Sequence, residues 1–333
     1  MEKTIIIAEA GVNHCGKISL AKKMIDAANK FGADYIKFQT FNPDLLSTKN
    51  AGLTKYQKKN TKFSNQYKML QKLSLSENDT KKIFNYCKKK RIGFLSTAFD
   101  LESAKFLLKF KMDYAKIPSG EITNFPLIKF LAKNYKKIIL STGMSNIKEI
   151  EWAIKILQRY NIRKKNIILL HCTSSYPAPT EELNLNAIKY LKDKFKTKVG
   201  YSDHSKSILT PIIATSLGAI LVEKHFTLNK NFKGPDHKSS IDVNEFISVV
   251  KGINFFHLAK GKFNKICTKS ENINKKIVRK SIYAFKDIKK GEKFTYKNLI
   301  TLRPDNGISS IYWEKVIGKK AKKNFSKLEL IRT

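Results

Sequence analysis

Short runs of apolar residues, rich in Ile, Val, Phe and Tyr, recur along most of the chain. Their length and their β-branched and aromatic content are typical of buried strands. Between them lie amphipathic patterns with helical spacing, such as the one from Leu20 to Ala28, with Ser19 as its expected cap, and another from Ile147 to Leu157. The pattern predicts eight strands, which begin near residues 4, 35, 93, 114, 137, 166, 198 and 220.

The alternation of strand and helix predicts an α/β fold, in which helices cover a parallel sheet. A count of eight strands favours closure into a (β/α)8 TIM barrel over an open doubly wound sheet. The interval between the second and third strands is longer, and its extra segment, residues 44–74, is polar and Lys-rich. We expect this segment to lie over one mouth of the barrel.

The pattern changes after the last helix predicted for the barrel, from Val243 to Leu258. A polar stretch rich in Lys and Asn follows, and from position 279 short β-like pieces alternate with turns, among them Lys289 to Glu292. These changes divide the chain into a barrel domain at 1–260, a linker at 261–278 and a small β-rich domain at 279–333.

The composition adds a large excess of positive charge, because 65 Lys and Arg stand against 27 Asp and Glu, a formal net charge of +38. Such a surplus raises the hypothesis of a nucleic-acid partner. Most of it, however, is Lys spread along the chain without an aromatic–basic motif, and planar readout of phosphates and bases favours Arg. We expect no nucleic-acid partner; binding that falls steeply with salt would contradict this expectation.

The four cysteines form no CxxC pair and are too few to cross-link a chain of 333 residues. This usage is typical of reduced thiols in a cytoplasmic protein. The sequence shows neither a signal-peptide pattern nor an apolar run long enough to span a bilayer. We therefore expect a cytoplasmic location and no membrane partner.

Polar or ionisable residues follow nearly every predicted strand at its carboxyl end. In a barrel these ends form one rim, where active sites lie. Residues two apart on a strand share a face, so pairs such as Ser202 with His204 can point inward together. The strand-end residues, in chain order, are Glu9, Lys37, Gln39, Thr97, Lys116, Ser119, Ser141, His171, Thr173, Ser202, His204, Glu223 and His225.

These side chains suit a small phosphorylated anion. Lys37 and Lys116 supply two cations, and the Ser and Thr residues supply hydroxyl donors. His204 and His225, on neighbouring strands, are candidate ligands for a divalent metal, although each taken alone is more often a hydrogen-bonded structural residue. Glu9 is a candidate base, and it could also serve as the partner that neutralises Lys37.

The same residues lie in motifs that resemble the bacterial sialic acid synthase family, which condenses phosphoenolpyruvate with an N-acetylated amino sugar. The tail, with RP at 303–304 and NGI at 306–308, resembles the antifreeze-like (SAF) domain of these enzymes. The resemblance covers essentially the whole chain. Its motifs are AEAGVNH at 8–14, KFQT at 37–40, STAFD at 96–100, KIPSGE at 116–121, STGM at 141–144, YSDH at 201–204, EKHFT at 223–227 and GPDH at 234–237.

The resemblance implies a role for each matching position. His204 and His225 would hold Mn2+, with Mg2+ or Co2+ as alternatives. Arg303 would reach the sugar from the SAF domain of a second copy, in a homodimer with swapped domains. Ser174 departs from the family pattern, in which some members place an Asn near the phosphate. Phosphoenolpyruvate would be held by Lys37, Thr97, Lys116, Ser119, Ser141 and Ser202, and the amino sugar by Gln39, Tyr176, Glu223 and Asp236.

The function that the resemblance implies is a transferase that makes N-acetylneuraminate from phosphoenolpyruvate, N-acetylmannosamine and water, with release of phosphate by C–O cleavage. The alternative within the family is a legionaminate or pseudaminate synthase, which uses a related acetamido sugar. A different enzyme class on the same barrel is a Schiff-base aldolase with Lys116 or Lys37 as nucleophile. That class leaves the hydroxyl cluster and the two histidines without a task.

Overall fold

The computed structural model of the chain describes residues 3–332. The chain divides into two compact units, with the boundary between Gly261 and Lys262. None of the helices within the described residues combines the length and apolar character that crossing a bilayer requires. Each unit is described below by itself.

The first unit is a nearly closed barrel of eight parallel strands, counted over the described residues. Hydrogen bonds join them in the order β3-β2-β1-β8-β7-β6-β5-β4, and β3 contacts β4 across the remaining gap. Each strand begins within one residue of the predicted position, so the TIM-barrel prediction is confirmed. The strands are β1 (Ile5–Gly11), β2 (Tyr35–Thr40), β3 (Gly93–Ala98), β4 (Ala115–Ile117), β5 (Ile138–Ser141), β6 (Ile167–His171), β7 (Lys198–Asp203) and β8 (Leu221–His225).

Helices connect the strands and cover the outside of the barrel. The first of them begins at Ile18 after Lys17, so the prediction of Ser19 as its cap is wrong. Ser19 lies within the first turn, because the buried face of this helix starts at Ala21. The helices of this unit are α1 (Ile18–Lys30), α2 (Pro43–Leu46), α3 (Lys55–Asn60), α4 (Gln66–Leu73), α5 (Glu77–Lys90), α6 (Leu101–Leu107), α7 (Phe125–Asn134), α8 (Ile147–Arg159), α9 (Ala187–Phe195), α10 (Thr210–Ser216) and α11 (Val243–Ala259).

Side chains inside the barrel form an apolar layer below a polar one. Alternation along β1 shows the arrangement: Ile7 belongs to the inner apolar cluster, Ile6 and Ala8 pack outward in the larger core, and Glu9 lies one inward step above Ile7. The inner cluster contains Ile7, Leu95, Ile139, Ile168, Leu170 and Leu221. The strands therefore carry their polar inward residues only at the carboxyl ends.

The segment predicted to cover one barrel mouth contains the helices α2, α3 and α4. It has its own apolar cluster with the barrel, in which Met69, Leu70 and Leu73 of α4 pack with Val12 and Phe41. This packing fixes the segment, named here the 43–73 cover, at the carboxyl end of the barrel.

The second unit contains α12 (Lys269–Val278), β9 (Ser281–Ala284), β10 (Leu299–Leu302) and α13 (Trp313–Val316). Strands β9 and β10 pair antiparallel, with Ala284 opposite Leu299, and the predicted turn at Lys289 to Glu292 is present. The range predicted as a linker includes α12, which begins with a capping box between Thr268 and Glu271. A polar composition concealed this helix from the hydrophobic pattern, because none of its residues is buried.

Candidate active site

A cavity of about 360 Å³ opens at the carboxyl ends of the barrel strands. Thirteen of the fifteen residues predicted for the site line it, and Asp236 and Arg303 do not. The lining residues that the sequence predicted are Glu9, Lys37, Gln39, Thr97, Lys116, Ser119, Ser141, Ser174, Tyr176, Ser202, His204, Glu223 and His225.

Strand register explains why these side chains meet. Glu9 on β1 lies opposite both Lys37 on β2 and His225 on β8, and Ser202 on β7 lies opposite Glu223 on β8. Because all eight strands are parallel, their carboxyl ends lie at the same end of the barrel, although tilt and stagger offset register partners in height, as for Glu223, which pairs with Ile7 of the apolar layer. The polar layer is therefore a direct product of the strand pairing.

Two lysines and two glutamates form a buried charge cluster at the floor of the cavity. Lys37 Nζ lies 2.8 Å from Glu9 Oε2 and 3.7 Å from Glu223 Oε2. Lys116 Nζ lies 3.1 Å from Glu223 Oε2. Lys37 also donates to Thr97 Oγ1 at 3.1 Å, so each ammonium group is held in place by fixed acceptors.

Burial and pairing move the pKa values of the four groups in different directions. Burial raises the pKa of Glu9 to about 7, and Lys37 only partly opposes that effect. Burial would also raise the pKa of Glu223, but Lys116 and Lys37 outweigh it and lower that pKa to about 2. The pKa of Lys37 is raised because Glu223 and Glu9 outweigh the effect of burial, whereas burial lowers the pKa of Lys116. The two carboxyl groups thus differ sharply in their readiness to bind a proton.

The hydroxyl groups of Ser119, Ser141 and Ser174 also line the cavity. Gly143 N donates to Ser119 Oγ at 3.1 Å, after strand β5. A Cβ atom at position 143 would overlap Ser174 Oγ and approach Ser119 Oγ too closely, so only glycine fits between these loops. The shorter side chain of Ser174, compared with the Asn of some family members, therefore occupies a site with little spare room.

His204 and His225 face one another across the cavity, with ring centroids 5.6 Å apart. His204 Nδ1 lies 2.8 Å from the carbonyl oxygen of Thr173, so Nδ1 carries the proton and Nε2 keeps a lone pair. The buried Nδ1 of His225 has no hydrogen-bond partner among the described residues. Burial lowers the pKa of His204 to about 4 and that of His225 well below its usual range, which keeps both rings neutral.

Neutral imidazoles fit a divalent metal ion. His204 Nε2 accepts a hydrogen bond from the hydroxyl of Tyr176 at 3.0 Å, so an ion bound there would replace that donor. Within residues 3–332 no group of three or more His, Cys, Asp or Glu side chains is arranged to hold one. An ion at this place would therefore have His204 and His225 as its protein ligands and would keep its other positions for substrate or water.

The 43–73 cover contributes residues that the sequence analysis did not include in the site. Tyr56 packs against Tyr176, with ring centroids 5.2 Å apart, and Tyr176 in turn stacks on His204 at 4.2 Å. Thr54, Gln57 and Gln66 also line the cavity. The sequence offered only a weak signal for them, namely Tyr residues among amides in a segment expected over the barrel mouth.

The two remaining predicted residues lie elsewhere. Asp236 is buried in the segment after β8, where burial raises its pKa to about 6, and it lines an adjoining cavity. Arg303 is exposed in the second unit, directly after β10. The expectation that Arg303 reaches the sugar in a second copy of the chain stays a prediction.

Comparison with known proteins gives two family matches. Residues 24–265 match the NeuB family, and residues 279–333 match the SAF domain. The chain is 50% identical to N,N'-diacetyllegionaminic acid synthase of Campylobacter jejuni over 100% of both chains. It is 41% identical to the protein of the same name from Legionella pneumophila, over 96% of this chain and 91% of that one.

Among solved structures, the N-acetylneuraminic acid (sialic acid) synthetase of Leptospira borgpetersenii in complex with citrate matches with a TM-score of 0.71. The two are 32% identical, and the match covers 82% of this chain and 91% of that one. Sequence and fold therefore point to the same group of proteins.

Proposed function

This chain belongs to the NeuB family, and on that premise we propose that it is an N,N'-diacetyllegionaminic acid synthase, which condenses phosphoenolpyruvate with an N,N'-diacetyl amino sugar. The observation that carries the proposal is the 50% identity to a synthase of that name along the full length of both chains. The sequence analysis put N-acetylneuraminate first and a legionaminate or pseudaminate synthase as the alternative. The comparisons favour the alternative, since the sialic acid synthetase with a solved structure is only 32% identical.

The floor of the cavity supports the assignment of phosphoenolpyruvate as donor. Its phosphate and carboxylate need fixed cations, and Lys37 and Lys116 are both buried and already ordered by Glu9 and Glu223. Thr97, like the serines at the strand ends, adds a hydroxyl that can donate to phosphate oxygens. Charge-assisted hydrogen bonds of this kind are about twice as strong as neutral ones, so the cluster both binds the donor and orients its enol carbon.

The reaction forms a carbon–carbon bond, with a proton added to the former aldehyde oxygen, and a carbon–oxygen bond to water, and it breaks the carbon–oxygen bond to phosphate. The methylene carbon of phosphoenolpyruvate attacks the aldehyde carbon, water adds to the carbon that bears the phosphate, and phosphate then leaves. We assign to Glu9 the role of the general base that accepts a proton from this water, because a carboxyl group with a pKa of about 7 is suited to that role at neutral pH. Lys37, at 2.8 Å from Glu9, holds this carboxylate in place.

His204 and His225 would hold a divalent ion, with Mn2+ as the first candidate. When bound, such an ion supplies Lewis-acid polarisation of the acceptor's carbonyl oxygen. The chain's own contribution is orientation: Thr173 fixes the tautomer of His204, and the ring of Tyr176 stacks on it. Second-shell partners of this kind commonly determine ligand geometry.

We assign the acceptor sugar to Gln39, Tyr176, Glu223 and Asp236, with Arg303 contributed by the SAF domain of a second copy in a domain-swapped homodimer. Gln39 and Tyr176 line the cavity outside the charge cluster, and Glu223 belongs to that cluster. The proposal of a dimer rests on the family resemblance, and mixing an inactive Arg303 variant with an inactive barrel variant tests it.

The deciding experiment supplies phosphoenolpyruvate with a panel of acceptors and measures phosphate release. The panel contains the diacetylated precursor of legionaminate, the corresponding precursor of pseudaminate, and N-acetylmannosamine. We expect the highest kcat/KM with the legionaminate precursor and no phosphate release without acceptor. A preference for N-acetylmannosamine would overturn the proposal and restore N-acetylneuraminate as the product.

A further inference from the structure

A second cavity, of about 300 Å³, adjoins the reaction cavity and lies between the 43–73 cover and the barrel mouth. Tyr56, Tyr176 and His225 line both cavities. A molecule bound in one cavity can therefore contact residues that also line the other. Its volume is about ten times the roughly 30 Å³ that a water molecule occupies in the liquid.

One wall of the second cavity is apolar. It consists of Leu46 at the end of α2 and of Met69, Leu70 and Leu73 on α4, which belong to the apolar cluster of the cover. Protein interiors are usually well packed, so empty space beside an apolar wall is a place where a ligand's methyl group can bind.

The opposite side of the cavity is polar. The Asp236 carboxylate is buried and, within residues 3–332, has neither an ion pair nor a hydrogen bond, although the chain carries a net charge of +38. A buried carboxylate without a donor is costly, and a ligand N–H or O–H supplies the missing partner. The amide of Gln66, at the start of α4, lies on the border that the two cavities share.

We propose that this second cavity is the subsite for the acetamido group that an N,N'-diacetyl acceptor carries and N-acetylmannosamine lacks. The methyl group packs against Leu46 and the α4 wall, the amide N–H donates to the Asp236 carboxylate, and the carbonyl oxygen accepts from the Gln66 amide. This assignment rests on the proposed function, because only a diacetylated acceptor has a second acetamido group. The residues of the cover thereby become determinants of acceptor choice.

The test fills the subsite without touching the floor of the reaction cavity. Leu46→Trp places a large ring in the second cavity, and Leu45→Trp is the matched control, since Leu45 is 54% exposed on the same helix and does not line the cavity. Melting temperatures of both variants check folding. Gln66→Met, which removes the amide at similar length, is a second and milder variant.

For Leu46→Trp we expect kcat/KM for the diacetylated acceptor to fall at least about tenfold, or 1.4 kcal/mol, mainly through KM. The value for N-acetylmannosamine should stay within about twofold, as should both values for Leu45→Trp. Gln66→Met should raise KM for the diacetylated acceptor more than KM for N-acetylmannosamine, because Gln66 lines both cavities.

The outcomes separate the two proposals. Equal losses with both acceptors, or no change with either, would overturn the subsite while a wild-type preference for the diacetylated sugar keeps the proposed function. A wild-type protein that turns over only N-acetylmannosamine would overturn the proposed function and the subsite with it.

Discussion

Replacing Lys116 by Met removes one ammonium group from the buried charge cluster, and the cost follows from what remains. Glu223 keeps Lys37, at 3.7 Å, and the hydroxyl of Ser202, which donates to it at 3.0 Å. Lys37 is already paired with Glu9, at 2.8 Å. Breaking a buried ion pair by removing one partner costs about 3–5 kcal/mol. Because two donors remain, we expect the free energy of unfolding of the barrel to fall by about 3 kcal/mol, the lower end of that range.

A second variant identifies the cause of that loss. Lys116→Met combined with Glu223→Gln removes both members of the pair and leaves no buried charge without a partner. We expect the double variant to be more stable than Lys116→Met alone by about 1–2 kcal/mol. Both variants should nevertheless lose phosphoenolpyruvate binding, since Lys116 is absent from each. Stability and binding are thus expected to separate.

The stability loss should also depend on pH. Pairing lowers the pKa of Glu223 to about 2 in the folded wild type, against an ordinary value of 4.5. The stabilisation from this group is present above the unfolded pKa and is lost as pH falls from about 4.5 towards 2. Without Lys116, Glu223 accepts a proton more readily. The difference between wild type and Lys116→Met should therefore be largest near neutral pH and should shrink as the pH falls below about 4.5 towards 2.

Urea unfolding followed by tryptophan fluorescence measures these free energies. The chain has two Trp residues, of which Trp152 lies on α8 of the barrel and Trp313 packs against the core of the second unit. A Trp313→Phe background reports the barrel alone. The charge-pair argument would be refuted if Lys116→Met had the same free energy of unfolding as the wild type. It would also be refuted if the double variant were less stable than Lys116→Met alone.

Three further predictions concern the chemistry. Glu9→Gln should lower turnover at least about a hundredfold while phosphoenolpyruvate affinity stays nearly intact; the wild-type rate should rise with pH through about 7, where burial places the pKa of Glu9, and unchanged turnover in the variant would remove Glu9 as base. Chelation should abolish activity and Mn2+ should restore it, whereas full activity of metal-free protein would contradict the assignment of His204 and His225. Mixing inactive Arg303→Ala with inactive Glu9→Gln should restore part of the activity if two subunits share a site, and no recovery in verified mixed dimers would indicate an intramolecular arrangement.

The barrel was predictable from the sequence because its strands are buried on both faces and therefore read as continuous apolar runs. The polar layer was predictable for a related reason. Pairs two apart, such as Glu223 with His225, point the same way along a strand, and parallel strands then bring the carboxyl ends of distant segments to one end of the barrel. Local pattern and topology together were sufficient for eleven side chains of the cavity; Ser174 and Tyr176 came from the family resemblance, and the strand-end candidates His171 and Thr173 do not line the cavity.

The cover and the adjoining cavity were not predictable in this way. Tyr56, Gln57 and Gln66 lie on two short helices whose positions depend on long-range packing against Val12 and Phe41. Such long-range packing does not produce a periodic pattern of hydrophobic residues in the sequence. The prediction of the helix cap was wrong for a similar reason. Ser19 is a residue type that is preferred at a helix N-cap, but α1 with its buried face begins earlier, at Ile18.

Three ammonium groups in this lysine-rich chain are buried: Lys37 and Lys116 are 3% exposed, and Lys224, paired with Asp203 at 2.6 Å, is 1% exposed. Reagents that acetylate or methylate amines should therefore modify the exposed lysines before these three. Most of the positive charge of the molecule could be removed chemically while the reaction cavity keeps its cations. The basic surface and the buried cations of the cavity are therefore separable properties of one chain.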